Sequence, residues 1–152
     1  MKKRIFSLML VFNILATLIV ALPTTVLGAS SGTCGDNLTW SLDDSGTLTI
    51  NGTGRMWDWS WPSKTPWYYQ YSSIKNINIG DRVTSIGKYA FAECAIENID
   101  LPNNISKIGE RAFSNCVKLK SISLPKGVMY IRPGTFYDCY NLSSIHIPNT
   151  VT

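Results

Sequence analysis

His146 is the only histidine of the chain, and it stands on a short stretch with Ser143 and Ser144 beside it and Ser123 in an earlier, similar stretch. An imidazole among hydroxyls has the composition of a nucleophile relay. However, alternation around Ile145 and Ile147 puts His146 in an outward column of a strand, away from any converged site. With no second histidine and no cysteine pair at ligand spacing, a zinc site has no support either. Asp43 and Asp44 could pair as acids or hold a cation, but they sit in "DDSG", where Asp44 and Gly46 supply turn chemistry between two alternating stretches. "GTGR", residues 52–55, is followed by no helix-forming segment and so cradles no phosphate. The expectation is a chain that is not an enzyme and carries no metal and no cofactor.

The cysteines point elsewhere. Cys94, Cys116 and Cys139 recur at one nearly constant step, inside "IGKYAFAEC", "IGERAFSNC" and "IRPGTFYDC". Phe91, Phe113 and Phe136 keep the same step, as do Ile86, Ile108 and Ile131, and Val83, Ile105, Val128 and Val151. Repetition at such a period is the mark of stacked units that cannot bury their apolar residues alone. Cysteines in one repeat phase should stack about 4.8 Å apart. That distance permits a disulfide, but parallel side chains do not aim at each other as the S–S torsion requires. They read as small buried hydrophobes. Cys34 falls outside the repeat and is either free or paired by its own local geometry.

After each cysteine comes an apolar run ended by Pro102, Pro125 or Pro148, and a fourth run, Ile74, Ile77 and Ile79, precedes them with Gly80 in the proline position. Period-two alternation predicts a strand with one buried face, stopped where proline withholds an N–H from the ladder. A second short strand follows at 83–86 and its equivalents, and Ala and Phe of the "GxxAFxxC" stretch are spaced to point inward from one helical turn. The alternation leaves two outward rows as the candidate binding face. One is Asn76, Asn98, Ser121 and Ser144; the other is Asn78, Asp100, Ser123 and His146. A third row, Lys75, Glu97, Lys120 and Ser143, alternates charge as a solvated surface does. A flat polar sheet suits recognition of a protein or glycan by many weak contacts, and offers no pocket of converged acid and base.

Lys2, Lys3 and Arg4, an apolar run from Ile5 to Leu22, and small residues up to Ala29 make a three-part secretory signal peptide, residues 1–29. Asn13 inside the run and the small-residue exit favour cleavage over a retained membrane anchor. Three of the 14 Lys and Arg and none of the 10 Asp and Glu fall in it, so the remainder, with 11 against 10, is close to neutral. The Lys and Arg that remain are scattered singly, which excludes the clustered basic face that nucleic acid demands. Charged residues make up 16% of the chain, against about 25% in ordinary soluble domains, so Ser, Thr, Asn and Gly must cover much of the surface.

"VTSIGKYAFAEC…IENIDLPNN" resembles the BspA-like leucine-rich repeat, whose consensus is close to V-x-x-I-G-x-x-A-F-x-x-C-x-x-L-x-x-I-x-I-P. "TWSLDDSGTLTINGTGRMWDW" and "PWYY" are similar to the segment that precedes such repeats in secreted bacterial proteins. The departures are local: one residue fewer after Cys94, and Arg132, Pro133, Gly134 and Thr135 in place of Gly-x-x-Ala. The resemblance implies a leucine-rich repeat solenoid of short parallel strands and short helical turns, with coils of about 22–23 residues. It also implies a secreted or surface-displayed module of adhesion type, binding a protein or glycan on a host, matrix or neighbouring cell. An accessory or glycan-binding part of a larger secreted enzyme is the alternative.

Three segments follow: the signal peptide, residues 30–73 as an N-terminal cap, and residues 74–152 as about three coils. "NLTWSLDDSGTLTING", residues 37–52, reads as a hairpin. Trp57, Trp59, Trp61, Trp67, Tyr68, Tyr69 and Tyr71 then either cover the first edge of the stack or form a stacking platform for a planar ligand. Covering is preferred because the stack needs a cap and nothing else upstream is apolar enough. Four Asn-x-Ser/Thr sites, at Asn37, Asn51, Asn104 and Asn141, bear on modification only under eukaryotic secretion. At the other end Val151 and Thr152 align with the start of a coil, so the chain is expected to be an N-terminal fragment whose Phe136, Leu142, Ile145 and Ile147 lack cover.

Overall fold

The computed structural model describes residues 30–152, so the signal peptide expected over residues 1–29 lies outside the described residues. The chain begins with three antiparallel strands, β1 Ser30–Gly35, β2 Leu38–Leu42 and β3 Thr47–Gly52. Leu38, Trp40 and Leu42 alternate into the core with Thr39 and Ser41 outward, the pattern a half-buried strand requires. The β2–β3 turn is locked by Asp43, whose carboxylate accepts the Ser45 hydroxyl (2.6 Å) and the amides of Ser45 and Thr47 (both 2.9 Å), while Gly46 supplies φ +84°. The sequence does not predict β1. Its polar "SSGTCG" has no apolar alternation to betray it, and Gly32 serves it by leaving room for the Trp40 ring, where a Cβ would come within 2.9 Å of Nε1.

From β3 the chain passes through β4, Gly54–Arg55, and two 3-10 segments, Pro62–Lys64 and Tyr68–Ser73, into β5, Asn76–Ile79, which pairs parallel with β3. Three-sided coils then follow. The remaining strands are β6 Val83–Ile86, β7 Asn98–Asp100, β8 Lys107–Ile108, β9 Ser121–Ser123 and β10 Ser144–His146. They pair in parallel as β4-β6-β8 on one side and β7-β9-β10 on another, in the register of the repeat. Each strand of the second set is closed by a turn in which a valine or isoleucine amide donates to the proline carbonyl three residues back: Ile105 to Pro102, Val128 to Pro125 and Val151 to Pro148. Val83 does the same to Gly80.

The third side corrects the expected helical turn. In "GKYAFAEC" the amides of Ala90, Ala92 and Cys94 donate three residues back, while those of Tyr89, Phe91 and Glu93 donate to Glu110, Ala112 and Ser114 of the next coil. Tyr89 and Glu93 take φ +58° and +67°, which no helix tolerates, and this aims every second amide along the stack. Arg111 and Asn115 repeat the conformation, and in the third coil Gly134 and Asp138 do. Gly134 thus serves the first left-handed position of its coil. Arg132 stands where Gly87 and Gly109 stood; a Cβ at Gly109 would lie 2.4 Å from the Lys88 nitrogen, and beside Arg132 no strand extends the β4-β6-β8 ladder.

The core is a column of rings. Phe91, Phe113 and Phe136 stack at 5.7 and 5.8 Å, and Trp67 begins the column 6.0 Å from Phe91, 1% exposed, its indole N–H donating to Ala90 O at 2.9 Å. Trp40 and Trp59 meet Trp67 edge-on at 5.6 and 5.5 Å, a favoured aromatic geometry. Of the cap's aromatic residues, Trp59 and Trp67 thus join Trp40 in the core, Tyr68 and Tyr71 are half-buried, and Trp57, Trp61 and Tyr69 stay exposed.

Candidate functional site

The residues left outward by this packing define the candidate site. Along β7, β9 and β10 the register sets Asn98, Ser121 and Ser144 in one row and Asp100, Ser123 and His146 in the next, with Ile99 and Ile122 turned inward. The two outward rows thus exist over three strands as the alternation predicts. Asn76 and Asn78 also face outward on β5, but the expected four-strand continuity fails there. β5 hydrogen-bonds to β3, and no ladder joins it to β7. The coil between them is one residue shorter after Cys94 than its successors.

At the strand ends the surface dips into two hollows of about 480 and 540 Å³. The first, over the gap between β5 and β7, is lined by Asn76, Asn78, Asp81, Asn98 and Asp100. The second, over β9 and β10, is lined by Ser123, Leu124, Lys126, His146 and Ile147. Both share Asp100 and Leu101, so they form one groove running across the strands. It follows the row Asn78, Asp100, Ser123 and His146 along its length.

The order of that row decides its chemistry. A relay needs the imidazole between hydroxyl and carboxylate, and here Ser123 stands between Asp100 and His146. Two strand steps, about 9–10 Å, separate the acid from the imidazole. No hydrogen bond links the three side chains, and among the described residues no group of His, Cys, Asp and Glu is placed to hold a metal. The row can hydrogen-bond a ligand, and in this order its three side chains do not form a carboxylate–imidazole–hydroxyl relay.

Neighbouring features are structural. Lys120 meets Glu97 at 2.6 Å and holds its carboxyl below the usual range, first by hydrogen bonding and then by charge. The side-chain amides of Asn104 and Asn141 donate to the Asp81 and Val117 carbonyls one coil back, so both asparagines act as rungs of the stack. Cys116 and Cys139 donate Sγ–H to Phe91 and Phe113 carbonyls, each at 3.1 Å. Burial pushes the Cys34 thiol up to about 12 and raises those of Cys94, Cys116 and Cys139. These are inert packing groups, not reactive thiols. On the cap, Trp57, Trp61 and Tyr69 keep exposed rings, Trp61 lying 5.9 Å from Tyr89 at 30°, while Trp57 Nε1 is tied to Asp36 at 3.0 Å. Among the described residues no helix is long and apolar enough to cross a membrane.

Residues 65–152 match the model of the BspA type leucine rich repeat region, six copies. A leucine-rich repeat protein of Eubacterium ventriosum has a similar crystal structure, with a TM-score of 0.65 and 25% identity over 82% of this chain and 39% of that one. A leucine rich cell surface protein of Faecalibacterium prausnitzii aligns with a TM-score of 0.47 and 20% identity, over 81% of this chain and 44% of that one. The chain therefore spans less than half the length of either protein. No curated protein matches it.

Proposed function

Since the chain belongs to the BspA-type leucine-rich repeat family, we propose that it is a non-catalytic binding module, secreted or held at the cell surface, that recognises a protein of a host, matrix or neighbouring cell. Residues 1–29 act as its export signal, residues 30–73 as its cap and residues 74–152 as its repeats. The observation that carries the reading is the groove, whose outward row is set in register by the strands beneath it and has no structural task of its own. Polar side chains held by rigid strands make many weak contacts without paying for loop ordering. The Asp100, Ser123, His146 order speaks against chemistry there. The test is binding to a panel of extracellular-matrix proteins and epithelial cells, comparing the protein with Asp100→Lys/Ser123→Lys. Loss of binding with an unchanged melt is expected, and unaltered binding would sink the proposal.

A second reading rests on the cap. Trp61 lies exposed beside Tyr89, and such a ring pair suits stacking on a sugar, as an accessory module of a larger enzyme would use. Trp61→Ala separates the two readings: it abolishes oligosaccharide binding under the second and leaves matrix binding intact under the first.

A further inference from the structure

The groove is electrically asymmetric along its length. Over β5 and β7 its charged lining is Asp81 and Asp100; over β9 and β10 it is Lys126, with His146 beside it. Beside the row of Asp100, Ser123 and His146, one residue further along each strand, run Leu101, Leu124 and Ile147, of which Leu124 is buried and Ile147 half-exposed. None of the lining residues is Trp, Tyr or Phe, so a sugar ring has no aromatic face to stack on here.

Scale fixes the spacing of the charges. Neighbouring paired strands lie about 4.8 Å apart, so the two steps from Asp100 on β7 to His146 on β10 span about 9–10 Å. A polyproline chain rises about 3.1 Å per residue with three residues per turn, so it covers that span in about three residues and brings both side chains to the same face.

We propose, resting on the recognition reading above, that the groove binds a peptide in polyproline conformation, laid across the strands, whose cationic and acidic side chains stand three positions apart. The cation lies between Asp81 and Asp100, and the anion over Lys126 and His146. Apolar or proline residues between the two charges lie along Leu101 and Leu124. Because the charges are exposed, attraction weakens as salt shortens its range.

The probe is a fluorescein-labelled peptide, Ser-Val-Lys-Pro-Val-Glu-Val-Ser, titrated with the full chain and followed by anisotropy. Its controls are a peptide of the same composition with Lys and Glu adjacent, and one with both charges positive. The first peptide should bind about two- to fivefold more tightly than either control. Asp100→Lys and Lys126→Glu should each weaken it by about tenfold, and the double variant, with the charges exchanged, should recover binding at an unchanged melting temperature. Equal binding of all three peptides, or indifference to Asp100→Lys, overturns the proposal. So does an oligosaccharide whose binding is lost in Asp100→Lys, since the occupant is then a glycan. If no peptide binds at millimolar concentration while matrix binding still depends on Asp100 and Ser123, the peptide proposal fails and the recognition face stands.

Discussion

Trp67 shows how one side chain decides between a binding role and a packing role. It is fully enclosed by Trp40, Trp59 and Phe91 with its N–H satisfied, so Trp67→Ala should cost about 3–5 kcal/mol in chemical denaturation. Trp61→Ala, at an exposed ring, should barely move the midpoint. The tryptophans were visible in the sequence as a group, but their separate fates were not. Trp67 precedes Phe91 by slightly more than the step between the phenylalanines, so the repeat phase alone does not place it in the ring column. The cysteines were legible because their phase was regular. Their folded pKa values lie above the unfolded value of about 9, so the folded state keeps protons that the unfolded state releases once the pH passes about 9. Stability from these thiols is therefore complete below about pH 9 and lost as pH rises toward the folded values. The melting temperature should fall between about pH 9 and 11, and Cys116→Ala should reduce that slope.

At the scale of elements, strands betray themselves in sequence and the connecting turns do not. Ile77, Ile99, Ile122 and Ile145 mark their strands by alternation, and the hairpin around Asp43 carries its own turn residues. The "GxxAFxxC" stretch instead imitates a helical turn, because its apolar spacing is compatible with one. Left-handed residues such as Tyr89 and Arg111 carry no sequence mark there, since the next coil's carbonyls hold them in place. The gap between β5 and β7 was half legible: the missing residue after Cys94 was plain, and its effect on the ladder required the register. Inserting one residue between Ala95 and Ile96 restores the step of the following coil. It should close the ladder, slow amide exchange at Asn76–Ile79 and Asn98–Asp100, and narrow the groove enough to weaken its ligand. Unchanged exchange would show that the step length does not hold the strands apart.

For the molecule as a whole, protection should run as a gradient along the stack. The amides of Tyr89, Phe91 and Glu93, and of Arg111, Phe113 and Asn115, are each taken up by a following coil. Among the described residues, those of Gly134, Phe136 and Asp138 find no backbone acceptor, and Ile145 and Ile147 are 37% and 46% exposed. In the full chain the last coil should exchange amides orders of magnitude faster than the coil before it, and uniform protection through Ile147 would contradict this picture. The central claim, that this groove is the recognition face, is tested most directly by a hydrogen-exchange footprint of the protein with a bound matrix or cell-surface partner. Protection should appear at Asn98–Asp100, Ser121–Ser123 and Ser144–His146, along with the turns after Pro102 and Pro125. Protection confined to Trp57, Trp61 and Tyr69 on the cap, with the strands unchanged, would contradict it.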